Sequence, residues 1–287
     1  MEPNTTVSTT ALMSAAARAA HPLVDAPPHL LIDEIAAALV DHDHPSPLDY
    51  HRAQPDAPVL ASARLAACVR SAFAEARLAE SGVDQLVVLG AGLDTAAHRM
   101  PVGTHAWLVD LPGVLAHRRA LFARAGLADA GTPVPVDLAS ASPVDALCAA
   151  GFDPDRPAFV SWLGVSMYLD AAAVRGVLAG LRALAGGSHL VFDHIVPPAL
   201  RDAAGAGYAQ AVAAVAGRSG EPWHCTPSPD QITDWLADAG WAVREACDET
   251  DAAGPGFWPR SDALTPMRLV RLVHAVRETT GAPAQRA

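Results

Sequence analysis

Apolar positions along this chain fall into two recurring patterns. Short continuous runs at 86–89, 106–109, 134–136, 158–163 and 189–192 are too brief for helices and suit strands buried on both faces. Between them, 113–125, 143–150 and 171–184 carry helical spacing. Strand and helix therefore alternate, which predicts a parallel sheet with helices on both faces. Ahead of the first strand, 11–20, 30–40 and 59–80 predict helices, the last long and ending near Gly82. The proline-rich stretch 41–58 predicts a loop. After 197 the rhythm breaks. A helix at 200–216 is followed by a Gly/Pro/Trp/His segment and by a helix at 230–239 opened by Pro229. Two last strands, 241–247 and 268–274, flank a Gly/Pro-rich loop at 248–266. Residues 1–10 and the tail after Arg277 predict disordered or frayed ends.

The chemistry concentrates in QLVVLGAGLDTAAHR at 85–99. An apolar strand runs into Gly90 and Gly92, and Asp94-Thr95 opens a segment that can continue as helix. This is the nucleotide-binding corner of a doubly wound sheet. A dinucleotide fingerprint needs a third glycine where this chain has Thr95, and Asp94 puts a carboxylate where a pyrophosphate wants bare amides. The turn suits a ligand with an ammonium group and no phosphate, such as S-adenosylmethionine. Asp110 ends the second strand twenty residues after Gly90, the spacing at which a carboxylate reaches a ribose diol.

Composition narrows the field. The chain has 287 residues, 51% of them hydrophobic, enough for one α/β domain with additions. A net charge of -11 argues against nucleic acid or an anionic membrane as partner. No apolar run reaches a membrane span, and no signal peptide pattern opens the chain. Cys68, Cys148, Cys225 and Cys247 form no CxxC, which fits a reduced, cytoplasmic setting. All 20 basic residues are arginine, so Schiff-base and P-loop lysine chemistry are excluded. No Gly-x-Ser-x-Gly elbow is present. His42 and His44, with His51 nearby, share alternate positions, but a proline-flanked polar loop is the simpler account, and no metal is expected.

Together these motifs resemble the class I S-adenosylmethionine-dependent methyltransferases of the leucine carboxyl methyltransferase-like group, bacterial branch. QLVVLGAGLDTAAHR, AWLVDLP (106–112), VPVDL (134–138), AGFDPDRPAFVSWLGVSMYL (150–169) and VFDHIVPP (191–198) follow that family's order, as do ARAAHPLVDAP and GEPW. The chain departs from the family at Leu108, where Glu is usual, and at His98, where Tyr is common. It also has Leu163 where some relatives are acidic. The fold implied is a Rossmann-like methyltransferase α/β fold with a seven-stranded, mostly parallel sheet. A helical lid and cofactor-contacting helix would occupy 1–80. The core would occupy 81–287, with a lid insertion at 197–229.

The resemblance implies S-adenosylmethionine as cofactor and O-methylation of a small-molecule acceptor, on a carboxylate or a hydroxyl, as in secondary metabolism. Cofactor contacts are expected from Arg64, Gly90, Gly92, Asp94, Asp110, Asp137 and Leu138. Arg70 is the rival of Arg64 for the methionine carboxylate, and Asp94 and Asp137 equally suit capping roles. Tyr168, His194 and His224 are the catalytic candidates, a histidine serving as base if the acceptor is a hydroxyl. A nicotinamide oxidoreductase and a non-catalytic binding protein on the same fold are the alternatives.

Overall fold

The computed structural model describes residues 9–41, 45–219 and 222–278, with 215–219 as backbone alone. The expectations for residues 1–8, for His42 and His44, and for the last nine residues lie outside that range. Seven strands form one sheet: β1 Gln85–Leu89, β2 His105–Asp110, β3 Thr132–Pro135, β4 Phe159–Trp162, β5 His189–Ile195, β6 Trp241–Asp248 and β7 Val270–Arg277. Their spatial order is β3-β2-β1-β4-β5-β7-β6. The first five are parallel, and β7 runs antiparallel to both β5 and β6. β6 consequently points the same way as β5 and ends at the same edge. The strand order reverses between β1 and β4, where open α/β sheets bind ligands.

Period-2 alternation sorts the core. Val87, Leu89, Trp107, Val109, Val160, Trp162, Leu190 and Phe192 face helices α6 (Val144–Ala149), α7 (Ala171–Gly180) and α9 (Pro229–Asp238). Leu86, Val88, Ala106, Leu108, Phe159, Val191 and Ile195 face the long helix α4 (Pro58–Ser81) and, beside it, α8 (Ala203–Ser219). α4 ends where Gly82 takes φ 69°, a left-handed stop.

A smaller apolar cluster joins α1 (Thr9–Val24), α2 (Glu34–Val40) and α3 (Pro47–Ala53) to Leu93 and to Leu121 and Phe122 of α5 (Pro112–Arg124). α3 corrects the loop expected over 41–58. Ser46 and Asp49 form a reciprocal capping box, and Pro47 sits at the first helical position. A second short helix, α10 (Glu249–Ala253), opens the loop expected at 248–266, with the Asp248 side chain capping Thr250 and Asp251. The segment after the glycine turn makes only one 3₁₀ turn, Ala96–His98. Among the described residues, no helix is long and apolar enough to cross a membrane.

Candidate active site

The glycine turn is stitched to the neighbouring strand. Gly90 and Ala91 donate their amides to the Val109 carbonyl at 2.8 and 3.0 Å. Gly92 donates to Asp110 Oδ2 at 2.7 Å, and Leu111 donates to Asp110 Oδ1 at 2.7 Å. Burial pushes the Asp110 carboxyl up, and these two amides oppose the shift. Each carboxylate oxygen keeps acceptor capacity beyond its one amide.

Gly90 sits at φ 68° and Gly92 at φ 43°. A Cβ on Gly90 would overlap the Val165 side chain, so the space above it belongs to Val165. The Gly90→Ala variant should therefore lose about 1–3 kcal/mol from the left-handed backbone alone, with the overlap added. A urea melt matching the parent would refute this.

Arginines grip the same turn from behind. Arg18 of α1 donates to the Leu93 carbonyl at 2.6 Å and to Asp33 at 2.8 Å. Fully buried Asp33 also accepts from Thr95 Oγ1 at 2.6 Å and pairs with Arg99 at 2.9 Å. Arg118 of α5 reaches the carbonyls of Gly92 and Asp94 while paired with Asp129. Ala11 lies over the turn, 3.4 Å from where a Cβ on Gly92 would stand. The turn is thus rigid and covered by α1.

Sequence reasoning named neither Arg18, Asp33 nor Arg118 as parts of this network. Arg18 stands in the quoted ARAAHPLVDAP motif beside His21 and Asp25, and that spacing was the available signal.

The expected cofactor residues divide. Gly90, Gly92 and Asp110 come together. Asp94 accepts from Ala96 N at 2.8 Å, and Asp137 accepts from Ala139 N at 2.9 Å and Ser140 Oγ at 3.1 Å, so each carboxylate closes its own turn and neither is the N-cap of a helix. Leu138 is buried just beyond β3.

Arg64 is elsewhere. Its guanidinium is buried and donates to both oxygens of Asp25 at 2.8 Å, to His51 Nδ1 at 3.2 Å and to the Pro55 carbonyl at 2.6 Å. It locks α1 to α4 and has little left for a ligand. Burial, then the Arg64 charge, lowers the His51 pKa to about 4, which keeps that ring neutral.

Arg70, about two turns further along α4, lies at the sheet edge instead. Its guanidinium rests on Gly164, where a Cβ would meet it at 2.9 Å. It donates to Ser14 Oγ at 2.8 Å and faces Asp193 at 3.7 Å.

The catalytic candidates also separate. Tyr168 follows β4 on the α4 side and packs with Tyr208 and Trp223 against that core. His194 points the other way. It lies with Phe192 on the α9 face, against Ile232, Thr233 and Arg271, and burial takes its pKa down to about 4. His224 is exposed, its amide donating to the Met167 carbonyl at 2.7 Å. The structure therefore sets His194 on the opposite face from Tyr168, while the His224 backbone lies beside the turn that carries Tyr168.

What it does gather are carboxyls. Asp193 is fully buried on the α4 face, with Gly164 N donating to Oδ1 at 2.6 Å. Glu249, first residue of α10, is 1% exposed. Among the described residues, neither of its oxygens nor Asp193 Oδ2 meets a hydrogen-bond donor. Burial, helped by Asp193, Asp248 and Asp202 and opposed by Arg70, raises the Glu249 pKa well above the usual range. Burial likewise raises Asp193 and Tyr208. Strand alternation at 190–195 could have exposed Asp193. Glu249 fell in a segment expected to be loop.

Fold and turn together define a Rossmann-like α/β protein of the methyltransferase type. The family model for leucine carboxyl methyltransferase matches residues 11–182, and the chain belongs to that family. A Mycolicibacterium paratuberculosis protein named "Putative S-adenosyl-L-methionine-dependent methyltransferase" is 33% identical over 181 residues, which is 58% of this chain and 58% of that protein. A Mycolicibacterium gilvum protein of the same name is 33% identical over 200 residues, covering 66% of this chain and 64% of the relative. The chain thus spans less than two thirds of these relatives' length. Its fold is similar to a crystal structure titled as a "putative methyltransferase" from Thermobifida fusca YX, with TM-score 0.59 and 22% identity over 95% of this chain and 97% of that one.

Proposed function

We propose that this protein is an S-adenosylmethionine-dependent methyltransferase that methylates an oxygen, carboxylate or hydroxyl, of a small molecule. The observation that carries this reading is the link between Gly92 N and Asp110. It fixes a half-buried carboxylate beside a glycine turn that lacks the dinucleotide fingerprint. The names of the relatives support the same chemistry.

The donor set fits the cofactor. Asp110 would accept from the ribose hydroxyls. Asp137 and Leu138 would meet the adenine, and Asp94 supplies negative charge for the ammonium. Arg70, not the enclosed Arg64, would take the methionine carboxylate. Bound S-adenosylmethionine supplies an electrophilic methyl group on sulfur. The protein's own task is then to align the acceptor oxygen in line, at about 3 Å, and to exclude water.

Segments 11–60 and 197–229 would do the excluding, as a lid. A cleft of about 470 Å³ lies within the second, lined by Arg201, Ala209, Trp223 and Thr226 among others. Limited proteolysis should cut these segments more slowly once cofactor is bound, and equal cutting in both states would speak against a lid. Calorimetry with S-adenosylmethionine and with NAD tests the main reading. Binding of the first alone, followed by turnover to S-adenosylhomocysteine with an acceptor, is expected. Binding of NAD alone would overturn it.

A further inference from the structure

Two strands that are distant in sequence deliver carboxyls to one place. β5 brings Asp193 and β6 brings Glu249 to the carboxyl edge of the sheet, on the face covered by α4. Arg70 of α4 rests on Gly164 and faces Asp193 at 3.7 Å. Glu249 is close enough to feel the charges of Arg70, Asp193, Asp248 and Asp202. Tyr208 of α8 packs with Tyr168 against the same α4-face core. Buried polar groups in folded proteins are nearly always hydrogen-bonded. Here three buried carboxyl oxygens on this face, Asp193 Oδ2 and both of Glu249, have no hydrogen-bond donor among the described residues. They are acceptors waiting for a group that brings protons.

We propose that Glu249, with Asp193 beside it, is the acceptor subsite, and that it takes a small molecule presenting a hydroxyl, whose proton Glu249 accepts. This rests on the methyltransferase reading and narrows it. A carboxylate acceptor would face two carboxyls, and the one guanidinium nearby already serves Asp193, Ser14 and the methionine carboxylate assigned to it. A hydroxyl meets no such repulsion and donates to an unpartnered oxygen. As the carbon–oxygen bond forms and the methyl–sulfur bond breaks, the hydroxyl proton passes to the Glu249 carboxylate and then to solvent. The other product is S-adenosylhomocysteine. Burial raises this carboxyl well above its ordinary value, which makes its ionised form a stronger base than an exposed carboxylate.

The test is a ligand-observed NMR screen of small phenols and alcohols, each with its matched carboxylic acid and primary amine. Free protein and protein loaded with S-adenosylhomocysteine are screened, as parent and as Glu249→Gln. Hydroxyl compounds should bind the parent at least tenfold more tightly than their acid and amine partners, and that preference should collapse in Glu249→Gln. For any hydroxyl compound that turns over, kcat in Glu249→Gln should fall at least a hundredfold with KM nearly unchanged. Asp193→Asn is the second variant should Glu249→Gln fail to fold, and it should lose the same preference. Acids or amines binding as well as hydroxyls, hydroxyl binding indifferent to both variants, or no hydroxyl binder at all would overturn the proposal. Cofactor binding is scored separately by calorimetry. If S-adenosylmethionine does not bind, the methyltransferase reading fails on its own, while hydroxyl binding by the free protein still tests the subsite.

Discussion

Asp110→Ala should lose affinity for S-adenosylmethionine by roughly a hundredfold or more. The carboxylate is half-buried at the end of β2, and its two oxygens already align with the Gly92 and Leu111 amides. Two charge-assisted hydrogen bonds to a ribose diol contribute about 1.5–3 kcal/mol each. Losing both costs at least about 3 kcal/mol, which is roughly a hundredfold in Kd. Asp110→Asn keeps one acceptor oxygen and the shape, so its loss should be smaller, about tenfold. Calorimetry on both variants, with a melt to show that they fold, checks the order. Affinity unchanged in Asp110→Ala would sink the cofactor assignment.

The largest stability effect is expected at Asp33. Its buried carboxylate is shared by Arg18, Arg99, Thr95 and the first turn of α2. Asp33→Asn leaves Arg18 buried without its charge partner, a change that costs about 3–5 kcal/mol. For a domain of this size that is a fall in Tm of roughly 10 °C. The pH dependence follows from the same group. Burial pushes the Asp33 carboxyl up, but the charges of Arg18 and Arg99 and the hydrogen bonds from Arg18 and Thr95 outweigh it and hold the pKa below 3.8. A depressed carboxylate contributes stability above its unfolded pKa, and that contribution is lost as pH falls through the folded value. Parent stability should therefore drop below about pH 4 more steeply than that of Asp33→Asn. Parallel acid melts would contradict the assignment.

The strand–helix rhythm was legible because buried parallel strands are continuous apolar runs, and β1, β2 and β4 lie within a residue or two of where those runs predict. The antiparallel direction of β7 was not legible, since an apolar run carries no direction. α3 and α10 were hidden by prolines and glycines around them, although the Ser46–Asp49 capping box was in plain sight. The meeting of Gly90, Gly92 and Asp110 was readable because local chain geometry joins a turn to the strand beside it. The partners of Arg64 were not legible because helix spacing says which face an arginine occupies but not what it meets. Asp25, which encloses it, lies 39 residues away. The acceptor side proposed above depends on β5, β6 and α8 converging, and no local pattern encodes that. At His194 the residue type drew attention while its neighbour Asp193 held the facing position.

The earlier and later parts of the chain occupy separate halves of this sheet. The stretch matched by the family model, 11–182, supplies β3, β2, β1 and β4, four contiguous strands. Everything later supplies β5, β7 and β6, also contiguous, and within the sheet the halves join along the single β4–β5 seam from Phe159↔His189 to Trp162↔Phe192. Such a molecule can be inherited in two portions. Substitutions that reshape the later portion leave the backbone ladder of the earlier one intact. For recombination between homologues, the natural crossover point is the connection between α7 and β5.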